Sequence, residues 1–488
     1  MRIPPIHNLK AAVGSLAVAL LLAGCAVGPD HQRPSAFATN AMPAAFAGTI
    51  ATNRGEWKPA EPSAHLPRGA WWELFSDTEL DRLETLASAQ NQELALSLAH
   101  FEQARALVNV ARADSFPQLS AAPGLTRQRT SANMTSGRSS TFSTFSIPLD
   151  ASWELDLWGR VRRGVEGARA RLTAFADDLE SAKLAIQAEV AIDYFTLRSL
   201  DAQDALLRQT IEAYQRSLDL TQNRRKSGIA TELDVSQAET QLKSTEAELP
   251  AVELQRANVL HALATLCGQP ATLFEVNPTK TAFTAGPGIP VAVPSELLER
   301  RPDIAAAERR VAAANADIGV AKSAFYPRIL LNGLAGFQSI DAGALFNWPS
   351  RVWSVGPSVQ LPLFTGGRNR AQLASVRANY DATVAGYRQT VLSAFQEVED
   401  QLAAQRLLAR EFDAENAALK SARRTLEISV TRYKGGVITY LEVAIAQNTA
   451  LAHEETVVKL ASQRLAASVS LIKALGAGWS VDKTEKEH

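Results

Sequence analysis

The side chains that could do covalent chemistry are few and poorly spaced for it. Two Ser-x-x-Lys pairs occur, Ser470 with Lys473 and Ser480 with Lys483, and an adjacent base is what a serine nucleophile needs. The first pair falls on a helix end and the second in a polar tail, where neither is enclosed. The seven histidines are scattered, without His-Glu-x-x-His or another metal-ligand spacing. No phosphate loop, dinucleotide fingerprint or Gly-x-Ser-x-Gly elbow is present. Asp150, Glu154 and Asp156 alternate along an apparent strand, together with Gln360 on a second one. Paired carboxylates can serve as general acid and base, but this alternation suits a solvated face better. The reading is of a chain with no catalytic residue, no metal site and no cofactor.

Cys25 has a different chemistry. Arg2 and Lys10 give a positive start, Ala11 to Ala23 is an apolar run, and the segment ends Leu22-Ala23-Gly24-Cys25. That string resembles the lipobox of bacterial lipoproteins, in which the cysteine thiol is acylated and becomes the first residue of the mature chain. Residues 1–24 are then a signal peptide and Cys25 the lipid-attachment site. Ala26 follows rather than the aspartate that favours inner-membrane retention, so an outer-membrane destination is expected. Cys267, the second of only two cysteines, is left without a partner, which excludes an internal disulfide. It sits in Thr265-Leu266-Cys267-Gly268 at a helix end and reads as a small buried hydrophobe.

Composition bounds the partners. The chain is 46% hydrophobic and 21% charged, enough for a large core. Its 50 Lys and Arg, less the two in the signal, leave 48 against 51 acids, a formal charge of −3. No basic surplus asks for nucleic acid. After residue 25 no long apolar run remains, so any membrane crossing must be made by β-strands.

The elements that must position these residues are written twice. Ser115-Phe116-Pro117-Gln118-Leu119 returns as Phe325-Tyr326-Pro327-Arg328-Ile329, with Tyr326 placed 210 residues after Phe116. Arg160 and Arg368 are equivalent at 208, as are Lys226-Ser227-Gly228-Ile229-Ala230-Thr231 and Lys434-Gly435-Gly436-Val437-Ile438-Thr439. Repeat 1 is assigned to 77–276 and repeat 2 to 295–475. A tether and start of the body (25–76), a linker (277–294) and a polar tail (476–488) flank them. Each repeat is predicted to hold a helix, a strand pair, a long helix, a glycine turn and a returning helix. The helices are expected near 77–114, 159–227 and 231–266, then 295–324, 367–434 and 439–475. The long ones would reach about 100 Å at 1.5 Å per residue. Val165, Leu172, Leu179 and Ile186 mark a heptad seam on the first, and Leu373, Tyr380, Tyr387 and Ala394 one on the second.

The strands are expected near 117–130, 141–157, 326–339 and 351–364. From Phe145 to Leu157 odd positions are apolar and even ones largely polar, and from Trp353 to Leu363 the same alternation holds. Alternation over ten or more residues marks a transmembrane barrel strand, and Phe116, Trp153, Trp158, Tyr326 and Trp353 suit interfacial girdles. Four strands cannot close a barrel, for which about eight are the minimum. Three chains supplying about twelve strands are the simplest closure, with Asp150, Glu154, Asp156 and Gln360 lining the lumen.

These features together resemble the outer-membrane channels of tripartite efflux pumps, the TolC-like family, in its lipid-anchored NodT-type branch. The resemblance covers nearly the whole mature chain. It rests most specifically on Trp153-Glu154-Leu155-Asp156-Leu157-Trp158-Gly159-Arg160 and on Arg300-Arg301-Pro302-Asp303-Ile304. Cys25-Ala26-Val27-Gly28-Pro29-Asp30, Trp71-Trp72-Glu73-Leu74-Phe75 and Pro362-Leu363-Phe364-Thr365-Gly366-Gly367-Arg368 support it. The resemblance implies a mainly α homotrimer with a twelve-stranded transmembrane β-barrel and a twelve-helix periplasmic α-barrel. It implies an exit duct that performs no chemistry and works with a periplasmic adaptor and an inner-membrane pump. It makes Gly228, Thr231, Gly435, Gly436 and Thr439 adaptor-docking tips, and places a periplasmic gate at Leu441, with Glu442, Ile445, Leu233 and Asp234 beside it. Ile445 stands where related channels carry an acid. The rival reading is a lipid-anchored coiled-coil scaffold without a pore, which explains the helices but not the strands.

Overall fold

The computed structural model describes residues 26–37, 69–133, 139–278 and 300–477. The signal segment, Cys25, Ser480 and Lys483 lie outside them. Two compact units share the chain: Met1–Ala38, His100–Ala176 and Ala306–Arg388 form one, and Thr39–Ala99, Asp177–Ala305 and Gln389–His488 the other. In order, the helices are α1 (Thr78–Gln90), α2 (Gln92–Ala113), α3 (Arg160–Lys226), α4 (Glu232–Leu266), α5 (Pro302–Ser323), α6 (Arg368–Lys434) and α7 (Tyr440–Ala474). The strands are β1 (Gln118–Ala121), β2 (Gly124–Arg129), β3 (Thr141–Glu154), β4 (Arg328–Ser339) and β5 (Arg351–Gln360). The two long helices, α3 and α6, are each 67 residues. No helix among the described residues is long and apolar enough to cross a membrane.

The first unit holds one antiparallel sheet. β1 and β2 both pair with β3, and the order continues through β4 to β5. Phe145↔Ser339 to Glu154↔Leu330 join the strand pair of one repeat to that of the other. Neither the β1–β2 edge nor β5 has a further strand against it among the described residues.

Four expectations need correction here. The first strand is interrupted at Ala122-Pro123, since proline has no N–H to give the ladder. β3 ends at Glu154 rather than 157, because Asp156 turns to the N-terminus of α3. β5 ends at Gln360, where Pro362 withholds its donor. The helix expected over 77–114 breaks at Asn91, which is extended at ψ 128°. Its Oδ1 accepts from the N–H groups of Glu93 and Leu94 at 2.8 and 3.0 Å and so starts α2 anew. Its Nδ2 donates to the carbonyl of Leu266 at 2.8 Å, satisfying the end of α4.

Residues 26–37 of the tether lie against the rest of the first unit through specific contacts. Val27 N–H donates to the carbonyl of Trp158 at 3.0 Å, and Asn315 Nδ2 to that of Pro29 at 3.0 Å. Arg163 reaches Asp30 at 2.8 Å and Arg33 reaches Glu308 at 2.9 Å. Gly28 crosses Gly319 so closely that a Cβ on it would lie 2.7 Å from the Cα of Gly319. With φ at +125°, Gly28 also occupies backbone space that side chains rarely adopt.

In the second unit the main core joins Trp71, Leu80 and Leu83 to Val190, Tyr194 and Leu197 of α3, Leu263 and Cys267 at the end of α4, and Val469 and Ile472 of α7. Asp77 caps α1 through Glu79 and Leu80, and accepts from the Tyr194 hydroxyl at 2.7 Å. Burial pushes the Cys267 thiol up to about 11, which makes it inert. Arg301, nearly buried, gives two hydrogen bonds to Asp303 at 3.0 and 2.6 Å and one each to Glu397 at 2.6 Å and the carbonyl of Ala474 at 3.0 Å. The Arg-Arg-Pro-Asp string is thus a staple holding α5, α6 and the end of α7.

Candidate functional site

Residues directly opposite in an antiparallel ladder share a face, so the register sorts the sheet's side chains. One face carries Leu119 and Leu125, then Phe145, Ile147, Leu149 and Trp153, then Ile329, Leu331 and Phe337, then Trp353, Val355 and Val359, with Arg127, Arg129 and Arg351 only at the loop end of the sheet. The other is largely polar, with Gln118, Ser120, Thr126, Ser146, Asp150, Ser152, Glu154, Asn332, Gln338, Ser354, Ser358 and Gln360 beside Phe142, Leu330, Leu334 and Val352. Trp353 is 73% exposed, Leu119 71% and Val355 68%, so the apolar face is uncovered within one chain. A bare apolar surface of this extent needs a non-aqueous neighbour.

Asp150, Glu154 and Gln360 therefore lie together on the polar face, and Asp156 does not. The Asp156 carboxylate accepts from the backbone N–H groups of Val161 and Arg162 at 3.1 and 2.9 Å, so it caps α3. Glu154 is on the predicted face but engaged: Arg160 reaches it at 2.8 and 3.0 Å and Arg328 at 2.5 Å. Trp153 Nε1 donates to the carbonyl of Ser115 at 3.0 Å and Trp158 Nε1 to that of Pro327 at 2.8 Å, with the Trp158 and Tyr326 rings stacked at 4.9 Å. Gly159 turns the chain at φ +79°. The Trp-Glu-Leu-Asp-Leu-Trp-Gly-Arg string is the hardware of a strand-to-helix junction.

In the second unit the two helix hairpins interlock at their tips. Each long helix ends in a left-handed glycine, Gly228 and Gly436 both at φ +74°. Gly435 has no positive φ, so its neighbour alone makes the left-handed turn of that tip. Thr231 caps α4 in a reciprocal box with Asp234. Thr439 makes no side-chain cap for α7; Asp234 Oδ1 instead accepts from the N–H of Tyr440 at 3.3 Å. Asp234 thus serves both hairpins. Burial alone would raise its pKa, but the bonds from Thr231 and Tyr440 and the charge of Arg224 outweigh it and hold the carboxyl below its ordinary value.

Arg224 Nη1 donates to the carbonyl of Lys434 at 2.8 Å, and its guanidinium lies 4.9 Å from the Tyr433 ring centre. The Tyr433 and Tyr440 rings meet edge to face at 5.5 Å, and the Tyr433 hydroxyl donates to Thr221 Oγ1 at 3.2 Å. Tyr214, Leu218, Val235, Leu242 and Val443 complete this small core. Sequence reasoning missed Arg224, Tyr433 and Tyr440. The available signal was two tyrosines seven apart, flanking a glycine pair absent as such from the other repeat.

The predicted gate residues divide. Leu441 (50% exposed) and Ile445 (58%) lie four apart on one face of α7, and Leu233 on α4 is 65% exposed. Glu442 is also exposed, and with Ile445 it lines a groove of about 300 Å³ against α6. Asp234 is not free to join them, being committed to the hairpin junction.

A model of the outer membrane efflux protein family matches residues 83–269 and 293–477. The chain belongs to the outer membrane efflux protein family. It is 35% identical to the outer membrane protein OprJ of Pseudomonas aeruginosa over 486 residues, 98% of each chain. It is 32% identical to the solvent efflux pump outer membrane protein SrpC of Pseudomonas putida, covering 95% of this chain and 97% of that one. The solved outer-membrane channel OprN superposes with a TM-score of 0.84 at 30% identity, covering 93% of this chain and all of that one. This efflux protein accordingly has the TolC-like fold, mainly helical and built from duplicated units. It resides in the outer membrane, extends into the periplasm, and acts as the exit duct of an efflux system alongside other pump components. It is not an enzyme.

Proposed function

We propose that three copies of this chain assemble into the duct, opened at the hairpin tips by a periplasmic adaptor joined to an inner-membrane pump. The observation that carries this reading is the sheet, with its two sorted faces and two unpaired edges. An open antiparallel sheet with a bare apolar face is unstable in water, and its edges invite further strands. Closure of three such sheets satisfies every edge, turns the apolar face to lipid and directs Asp150, Glu154 and Gln360 inward. Acylation of Cys25 adds an anchor in the same membrane. Long helices in each chain, α3 and α6 with α4 and α7 returning beside them, are the material of a twelve-helix periplasmic barrel.

Exposed Leu441 and Ile445 supply the constriction, an apolar one where three copies converge, with Glu442 and Leu233 at its margin. Gly228, Thr231, Gly435, Gly436 and Thr439 form the surface the adaptor meets. Asp234 has a different part: it latches one hairpin to the other within a chain. A pore-free scaffold would leave the sorted sheet faces without use.

Electron microscopy of the detergent-purified, lipidated protein tests the assembly. A three-fold hollow cylinder is expected; a solid rod or a monomer would refute it. Leu441→Ala tests the gate in planar bilayers: closed-state conductance should rise, and an unchanged value would remove Leu441 from the constriction.

A further inference from the structure

A groove in the first unit lies apart from the sheet residues and tip residues described above. It encloses about 530 Å³ between the last turn of α2 and the first turns of α3. Arg112, Ser115 and Phe116 form one wall; Arg162, Val165, Glu166 and Arg169, one helical turn apart in sequence, form the other.

The charges in it are unevenly matched. Arg162 is held by Asp156 at 3.3 Å, and Glu166 is held by Arg163 at 2.8 Å. Arg112 and Arg169 have no side-chain hydrogen bond or ion pair among the described residues. Two unneutralised guanidiniums thus share a groove with Phe116, which is 67% exposed. The groove also runs on to the apolar sheet face, because Trp153 of that face donates to the carbonyl of Ser115 in the groove wall at 3.0 Å.

We propose that this groove binds the phosphate of an anionic glycerophospholipid, whose acyl chains pass Phe116 onto the apolar face. The inference rests on that face meeting lipid. Guanidinium forks match phosphate oxygens two at a time, and basic pockets at a membrane surface take anionic head groups. Cation and hydrocarbon surfaces side by side fit an amphiphile better than a free anion.

Native mass spectrometry of the lipidated full-length assembly, titrated with dioleoylphosphatidylglycerol, tests this. The comparison is with Arg112→Gln/Arg169→Gln and with Arg171→Gln, an arginine outside the groove that pairs with Asp317. The double variant should hold lipid about tenfold more weakly, as loss of charge-assisted bonds implies, and Arg171→Gln should match the parent. If the double variant does not assemble, Arg169→Gln alone carries the comparison. Equal retention in parent and groove variant would overturn the proposal. So would displacement of the lipid by inorganic phosphate, which marks a small-anion site. Failure of a thiol reagent to label Arg112→Cys in lipid-free assemblies would overturn it too, since a second copy then fills the groove. A parent that conducts no ions in bilayers refutes the duct; unchanged retention in a conducting assembly refutes only the lipid site.

Discussion

Glu84 is the residue whose surroundings fit it least. It is fully buried in the second unit, and neither carboxyl oxygen has a hydrogen-bond partner among the described residues. Burial, with the charge of Asp81 adding to it, pushes its pKa from 4.5 up to about 9. The folded protein therefore keeps a proton that the unfolded chain releases between those values, and stability falls as pH rises across that window. At pH 7 the loss relative to pH 4 is on the order of 3 kcal/mol. Glu84→Gln, which cannot ionise, should raise the thermal midpoint at pH 8 and leave it little changed near pH 4. Equal midpoints at pH 8 would show that the site accepts a carboxylate. Asp234 behaves oppositely: its lowered pKa gives stability present above about 3.8 and lost as pH falls through the folded value. Asp234→Ala should loosen the junction of the two hairpins and raise basal conductance in planar bilayers, and no change would mean that Arg224 and the tyrosines hold it alone.

Among the elements, the break at Asn91 and the capped starts of the helices set the geometry. Asn91→Ala removes both a cap and the bond to Leu266, and should cost about 1–2 kcal/mol in thermal or denaturant unfolding. Asn91→Asp keeps the cap and loses only the donor, so it should fall between. The long helices were legible because neither stretch holds a proline and both are rich in helix-forming residues, and their ends carried a glycine and a threonine. The strands were legible by alternation, and the register then placed each named apolar side chain on one face. Asp156 was misread because alternation continues past the strand's end, and only the position of α3 reveals which N–H groups its carboxylate serves. Asn91 resembled any polar helix residue until the carbonyl of Leu266, 175 positions away, came beside it. The second role of Asp234 was hidden for the same reason: its acceptor capacity goes to the other repeat, a pairing that no local pattern records.

For the molecule as a whole, the sheet's two faces should respond to charge unequally. Arginine facing hydrocarbon near a barrel's midplane costs roughly 2–4 kcal/mol, while a lumen position tolerates it. Val355→Arg should thus reduce heat-sensitive, SDS-resistant oligomers, whereas its neighbour Ser354→Arg should assemble and shift ion selectivity toward anions. Equal assembly of the two would invert or abolish the assignment of faces. The strap of residues 26–37 carries a consequence of another kind. Trp158 and Arg163 of the first repeat hold Val27 and Asp30, but the rest of its seat, Glu308, Asn315, Gly319 and Arg388, comes far later in the chain. The strap, made early in synthesis, must therefore wait for the second repeat before it can settle fully. Closing so long a loop is an entropic cost that local contacts cannot offset, so docking of the strap belongs to the end of folding. An unfinished chain leaves the strap unseated, and the seated strap is a record that the second repeat has arrived.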